Sequence, residues 1–219
     1  LDPPLSSEEV RGVLIQSVDD INVEGSESDP TKFPSGPGWD MHFGYGRNNA
    51  RTSVDLVLDD RIPPEADIVS PRWFEVLYVD RTPSVVIDGR IGSRVDGEPS
   101  RHSSYEWTVE YAHGVDPKVG WIAIDAGTTP GMEGIIATWD VAEAASTADL
   151  GPLEDSHQNA VTVRLTVNAV SASGNPVSNE FRKTFFLNED PDLHPAFPIY
   201  VGSSGESSPK FADLDQDGA

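Results

Sequence analysis

The sequence lacks cysteine altogether and has few basic residues for its acidic content. The absence of thiols excludes disulfide bonds, zinc sites with cysteine ligands, iron–sulfur clusters and thiolate catalysis. Lysine and arginine number 15 against 37 aspartates and glutamates, so the formal net charge of the 219 residues is −22. Such a charge repels nucleic acid phosphates and anionic membrane surfaces. We therefore predict no nucleic acid partner and no membrane partner.

Long hydrophobic runs are also missing. None approaches the roughly 20 apolar residues that a membrane-spanning helix needs. The chain opens at Leu1 without a basic region followed by an apolar stretch, and it stops just after an unfinished acidic repeat. We therefore expect it to be a segment of a longer polypeptide, and the missing signal peptide says nothing about export.

Residues 1–62 carry two helical signals. Ser6 followed by Glu9 is a capping box, which predicts a helix that begins at Ser7. A second helix is predicted from about Asn49 to Leu58. The residues predicted to face inward are Val10, Val13, Leu14, Val18, Ala50, Val54, Val57 and Leu58. Two helices without a strand bury too little apolar surface to fold alone, so we expect them to end a domain whose body lies upstream.

After residue 62 the pattern changes to short runs of alternating apolar and polar residues, separated by turn-forming clusters. The predicted strands lie at 84–87, 105–111, 121–124, 134–139, 161–167 and 183–187. This spacing is typical of an immunoglobulin-like or fibronectin-like antiparallel β-sandwich, which we assign to residues 63–190. The fold class is thus mainly β, with two preceding helices. Residues 191–219 are interpreted as a linker and the start of a third module.

Four aromatic residues allow two interpretations. Trp107, Tyr111, Trp121 and Trp139 are able to form a carbohydrate-binding face, because sugar rings stack on exposed aromatic planes. Large aromatics at alternating strand positions are more often part of a sandwich core. Trp107 and Tyr111 share one face of their strand, which favours the core.

Few residues indicate chemistry. Asp213, Asp215 and Asp217 alternate before a glycine and resemble the start of a calcium loop, although a solvated acidic tail is the alternative. Asp40 and His42 lie close in a glycine-rich turn, but no serine motif accompanies them, so we interpret them as structural. We predict no catalytic residue and no residue that binds an organic cofactor.

Two local motifs at the start of the chain resemble the C-terminal end of a subtilisin-like serine protease domain. One is the sequence Leu-Ser-Ser-Glu-Glu-Val-Arg at 5–11, at the start of the first predicted helix, and the other is Gly-Tyr-Gly-Arg-Asn-Asn-Ala at 44–50. Asn48 replaces the valine that is common in that family. The middle of the chain resembles the β-sandwich modules of large secreted bacterial subtilases, and 207–218 resembles the opening of an FG-GAP or VCBS repeat, a calcium-binding propeller blade.

The resemblance implies a secreted or cell-surface bacterial endopeptidase that acts on protein or peptide substrates. The family's catalytic triad would precede Leu1, so this segment would be accessory and inert, with residues 1–62 ending the protease domain. Calcium would be a cofactor of residues 191–219. The alternative from another class is a non-catalytic extracellular adhesion or carbohydrate-binding β-sandwich to which the helices are an appendage.

Overall fold

The computed structural model describes residues 4–29, 31–92, 101–128, 132–147 and 159–188. All of them belong to the first of two compact units, Leu1–Glu189 and Asp190–Ala219. The helices are α1 (Ser7–Gln16), α2 (Ala50–Leu58) and α3 (Val141–Ser146), with a 3-10 turn at Ser26–Ser28. The strands are β1 (Ala66–Ser70), β2 (Val76–Tyr78), β3 (Ser84–Ile91), β4 (His102–His113), β5 (Ile122–Gly127), β6 (Met132–Asp140), β7 (Ala160–Ser171) and β8 (Pro176–Asn188). In the described ranges no helix is both long and apolar enough to cross a bilayer.

The strands form two sheets, with the orders β1-β3-β6 and β2-β8-β7-β4-β5. Neighbours are antiparallel except for β2 and β8, which are parallel. The prediction of a mainly β chain is confirmed, and each predicted strand run overlaps an observed strand, whose ends lie up to seven residues from those of the run. Strands β1 and β2 and helix α3 were not predicted, because each is too short to show a clear periodicity.

Residues of both sheets build one hydrophobic core. The Trp139 ring on β6 lies 5.4 Å from the Tyr111 ring on β4 and 6.4 Å from the Phe185 ring on β8, measured between centroids. Trp107, Tyr111 and Trp139 are all buried. The core interpretation is therefore confirmed for these three aromatics. Each large apolar side chain that is buried in this way contributes ~1.5–3 kcal/mol.

A buried lysine links the two sheets. Lys183 on β8 points inward, and its Nζ donates to the carbonyl oxygens of Ile68 at 2.7 Å and Val69 at 2.9 Å. The β1–β3 register shifts between Ile68 and Ser70, so the lysine bonds the backbone where the strand pairing is interrupted. Burial lowers the pKa of Lys183, and the negative charges of Asp67 and Glu75 oppose that shift.

Candidate interaction site

An apolar groove runs between α1 and α2, and we call it the helical groove. Its volume is about 250 Å³. The residues that line it are Leu5, Val10, Val13, Leu14, Ser53, Val54, Val57 and Leu58. Ser53 is the one polar residue among them, so the groove offers a partner apolar contact and very little hydrogen bonding.

The groove side chains are largely open to water. Leu58 is 76% exposed and Val54 57% exposed, and Val10 and Leu14 are exposed as well. Within the described residues these side chains, like the exposed Ala50, have no covering surface, so the expectation that they face the body of a domain stays a prediction. Only Val13 of the predicted set is buried, while Leu56, which the periodicity did not single out, is the buried residue of α2. Helical periodicity identifies an apolar face, but it does not identify the surface that covers it.

Local capping fixes both helices. The Ser6 hydroxyl accepts from the Glu9 backbone N–H at 3.1 Å, and a Glu9 carboxylate oxygen accepts from the Ser6 N–H at 2.8 Å, so the predicted capping box is present. The Asn49 side chain caps α2 by accepting from the Thr52 N–H at 3.1 Å. The hydroxyls of Ser17 and Ser53 share a hydrogen bond of 2.6 Å, which ties the two helices together.

The side of α1 away from the groove is anchored to the sheets. The Arg101 Nε donates to a Glu9 carboxylate oxygen at 3.0 Å, and both side chains are nearly buried. The Ser6 hydroxyl donates to Glu65 at 2.7 Å. Gly12 allows the close approach of α1, because a Cβ there would lie 3.2 Å from both Pro63 and Asn179. These contacts hold α1 in place, and with it one wall of the helical groove.

A ladder of charged and aromatic side chains holds the segment before α2 on the outer face of the larger sheet. Arg164 pairs in register with Glu110 and Arg182, and its guanidinium donates to Glu110 at 2.7 Å. The Arg164 guanidinium lies 4.0 Å from the centroid of the Trp121 ring, and that of Arg182 lies 5.3 Å from the rings of both Trp121 and Trp39. Cation–π contacts of this kind fasten residues from separate loops to the sheet.

Tyr45 belongs to the same anchored segment. Its hydroxyl donates to the Glu180 carbonyl oxygen at 3.2 Å. Burial raises the pKa of Tyr45 to about 12, and the nearby Glu180 charge adds to the shift. The neutral hydroxyl is therefore the form that this contact favours.

Two further ionisable groups lie near the start of α1. The His102 Nε2–H donates to the Ile62 carbonyl oxygen at 2.8 Å, and burial lowers the pKa of this histidine. Burial also raises the pKa of Glu65, although its hydrogen bond from Ser6 opposes the shift. Both directions follow from the cost of charging a group away from water. Each shift disfavours the charged form of a group at the junction between α1 and the sheets.

Asp40 and Trp121, two further candidates from the sequence, both make structural contacts. Asp40 is buried, and its carboxylate accepts from the backbone N–H groups of His42 at 2.9 Å and Phe43 at 2.7 Å, which confirms its structural role in the turn. Trp121 lies in the cation–π ladder and not in the core. The proposed calcium ligands Asp213, Asp215 and Asp217 lie outside the described residues.

An exposed aromatic pair was missed by the sequence analysis. Trp73 and Phe74 are about half exposed, with ring centroids 5.6 Å apart. The Phe74 ring stacks on the Phe186 ring at 6.1 Å, and Phe74 has a positive φ of 58°. Both residues lie in the short connection between β1 and β2, where no periodicity distinguishes an exposed ring from a buried one.

Comparisons of the chain with protein-family models, curated proteins and solved structures find no match. Within the residues that the structure describes, no group of three or more histidine, aspartate and glutamate side chains is placed to hold a metal ion. The arrangement described above is suited to binding a partner through apolar contact.

Proposed function

We propose that this chain is the accessory portion of a secreted or cell-surface subtilisin-like serine endopeptidase, which hydrolyses peptide bonds in protein or peptide substrates. The helical groove is the observation that carries the proposal. It lies on α1, which contains most of the first family-like motif, and on α2, which begins at the last residue of the second, and it exposes an apolar surface of a kind that marks interaction sites. In this proposal residues 1–62 end the catalytic α/β domain, whose body covers the groove.

The energetics of covering the groove are consistent with a permanent contact. Full burial of an exposed valine or leucine contributes ~1.5–3 kcal/mol. Val54 and Leu58 have most of their surface available, and Val10 and Leu14 add more. The anchoring of α1 through Glu9 means that little ordering is needed before docking.

The two segments that follow residue 62 have accessory roles in this proposal. Residues 63–190 form an immunoglobulin-like β-sandwich, which the common core of the two sheets supports. Residues 191–219 form a linker and the start of a calcium-binding repeat, in which Asp213, Asp215 and Asp217 supply carboxylate oxygens. Peptide-bond cleavage would belong to a serine, histidine and aspartate of the parent together with an oxyanion hole. The residues of this chain would act only by supporting that domain.

The first test is the coding sequence directly upstream of Leu1. The proposal expects a Gly-Thr-Ser motif in frame, preceded by separate aspartate and histidine motifs. An unrelated module or a start codon at that place would refute it.

The second test places a charge in the groove of the full parent protein. Val54→Asp and Leu58→Asp should lower the yield of active secreted protease and the thermal stability of its catalytic domain, because a carboxylate would be buried in an apolar contact. Val119→Asp is the matched control, since Val119 is 81% exposed and lies outside the groove. Equal effects of all three substitutions would contradict the docking of the body on the groove.

A second candidate function is favoured by the exposed aromatic pair. Trp73 and Phe74 present ring faces of the kind on which sugars stack, as an extracellular carbohydrate-binding module requires. The test is a glycan array probed with the chain and with Trp73→Ala. Binding that is lost in this variant would support the second candidate, and the absence of glycan binding would reject it.

A further inference from the structure

We infer that a second cleft in this unit binds the C-terminal residue of a peptide, through its carboxylate and its last N–H. The cleft has a volume of about 420 Å³, within the range of small-ligand sites. Gln16, Leu56, Arg61 and Pro63 line its helical side, and Asn168, Ser178 and their neighbours line the side formed by β7 and β8. We call it the edge cleft.

Arg61 supplies the positive charge. Among the described residues it is the one lysine or arginine whose side chain makes no ion pair, hydrogen bond or aromatic contact. In a chain with 37 acidic residues, an unpaired guanidinium that lines the larger cleft is unexpected. The neighbouring Asp60 makes no ion pair with Arg61 within the described part of the chain, and its carboxylate instead accepts from the Ser173 N–H at 3.0 Å. Arginine is the side chain best suited to bind a carboxylate with two parallel hydrogen bonds.

The second recognition element is a backbone edge of β8, on the side of the strand where β2 pairs with its end. Its partner β2 pairs only with residues 186–188, so among the described residues the edge nearer Pro176 has no neighbouring strand. Even-numbered residues of β8 point their backbone groups to this edge: the Thr184 carbonyl accepts from Phe74, and the Phe186 N–H donates to Glu75. The alternation of an antiparallel strand then places the N–H and C=O of Ser178 at the same edge, beside the cleft.

The open edge of β8 is short, and its length limits how many residues of a ligand are able to pair with it. At Glu180 the edge is already occupied, since the carbonyl accepts from the Tyr45 hydroxyl and the N–H donates to the Asn179 side chain. On the Pro176 side of Glu180, Ser178 is the residue that offers both an N–H and a C=O for pairing, because Pro176 has no N–H, and this is enough for one residue of an added strand. A terminal residue fits this arrangement: its N–H donates to the Ser178 carbonyl, and its carboxylate accepts from the Ser178 N–H and from Arg61.

The cleft walls complete the recognition. Leu56 and Pro63 offer apolar contact to the terminal side chain, while the amides of Gln16 and Asn168 are able to bond the preceding peptide group. The edge cleft and the helical groove have no lining residue in common, so this inference does not depend on the proposed function.

The test is a titration of the full chain, followed by ¹⁵N–¹H NMR, with N-acetyl-Ala-Ala-Val as the free acid. Signals of Ser178 and Asn168 should shift. The C-terminal amide, and an analogue with an ester in place of the last peptide N–H, should each bind at least ~10-fold more weakly, because each lacks one hydrogen-bonding group. Acetate alone should bind more weakly than the peptide acid.

Arg61→Gln should weaken binding of the free acid by a similar factor, and a thermal melt of this variant checks that the fold is intact. Arg51→Gln is the matched control, because Arg51 is an exposed arginine of α2 that pairs with Asp55. The inference is overturned if the amide binds as well as the acid, if acetate binds as tightly as the peptide, or if no signal at the cleft shifts at millimolar peptide.

Discussion

The buried ion pair between Glu9 and Arg101 should dominate the attachment of α1. In Glu9→Ala the chain loses two contacts together: the 3.0 Å bond from Arg101 and the 2.8 Å bond to the Ser6 N–H in the capping box. The Glu9 side chain is 2% exposed and that of Arg101 10% exposed, so water has little access to the arginine that is left behind.

The expected loss in the free energy of unfolding has two contributions, one from the ion pair and one from the capping contact. Removal of one partner of a buried pair costs ~3–5 kcal/mol, because the other charge stays away from water and loses this partner. The capping contact adds ~0.5–2 kcal/mol. Glu9→Ala should therefore lower the free energy of unfolding by ~3.5–7 kcal/mol, measured by urea denaturation with tryptophan fluorescence as the signal.

A double-mutant cycle tests the reasoning. The combination of Glu9→Leu with Arg101→Met should be less destabilising than the sum of the single changes by at least ~2 kcal/mol, since no charge is left buried. The exposed pair Arg51–Asp55 serves as the reference, because its loss should cost ~0.5 kcal/mol or less. Additive effects of the two changes at Glu9 and Arg101 would refute the buried-pair account.

Three further measurements test other parts of the structure. Phenolate absorbance should show that Tyr45 ionises near pH 12. Because the pKa of Tyr45 is raised in the folded state, its contribution to stability should be present below pH 10 and lost as the pH rises toward 12. Tyr45→Phe should remove that loss. His102 has a lowered folded pKa, so unfolding should become easier as the pH falls below 6.5, an effect that His102→Gln should reduce and that a histidine NMR titration locates. Trp139→Ala should lower the free energy of unfolding by ~3–5 kcal/mol in urea, and a loss below ~1 kcal/mol would contradict its place in the core.

Much of the strand content was predictable because it depends on local alternation. The run at 161–167 and the face shared by Trp107 and Tyr111 predicted β7 and the buried side of β4, and both are observed. The start of α1 was likewise predictable, since a capping box is formed by residues only three positions apart. These features need no knowledge of distant parts of the chain.

The helical faces could not be assigned in the same way. Val54 and Leu58 have the periodicity of buried residues, yet they are exposed in this unit, because burial depends on which surface packs against a helix. Trp121 was grouped with core aromatics for its residue type, but Arg164 from another strand holds it on the outer face of the sheet. Strand β2 has three residues, too few to show an alternation in the sequence, and only its pairing with β8 identifies it as a strand.

The sequence by itself determined the exclusions and the local elements: the lack of thiol chemistry, the strong negative charge, the capping box and the alternating strands. Each of these is a property of composition or of residues close together in the chain. Only the tertiary structure brings Arg61 and Ser178 to the same cleft, and only it shows that the apolar faces of α1 and α2 form a groove. Such sites join residues far apart in sequence, and their chemistry arises from the distances that folding sets between them.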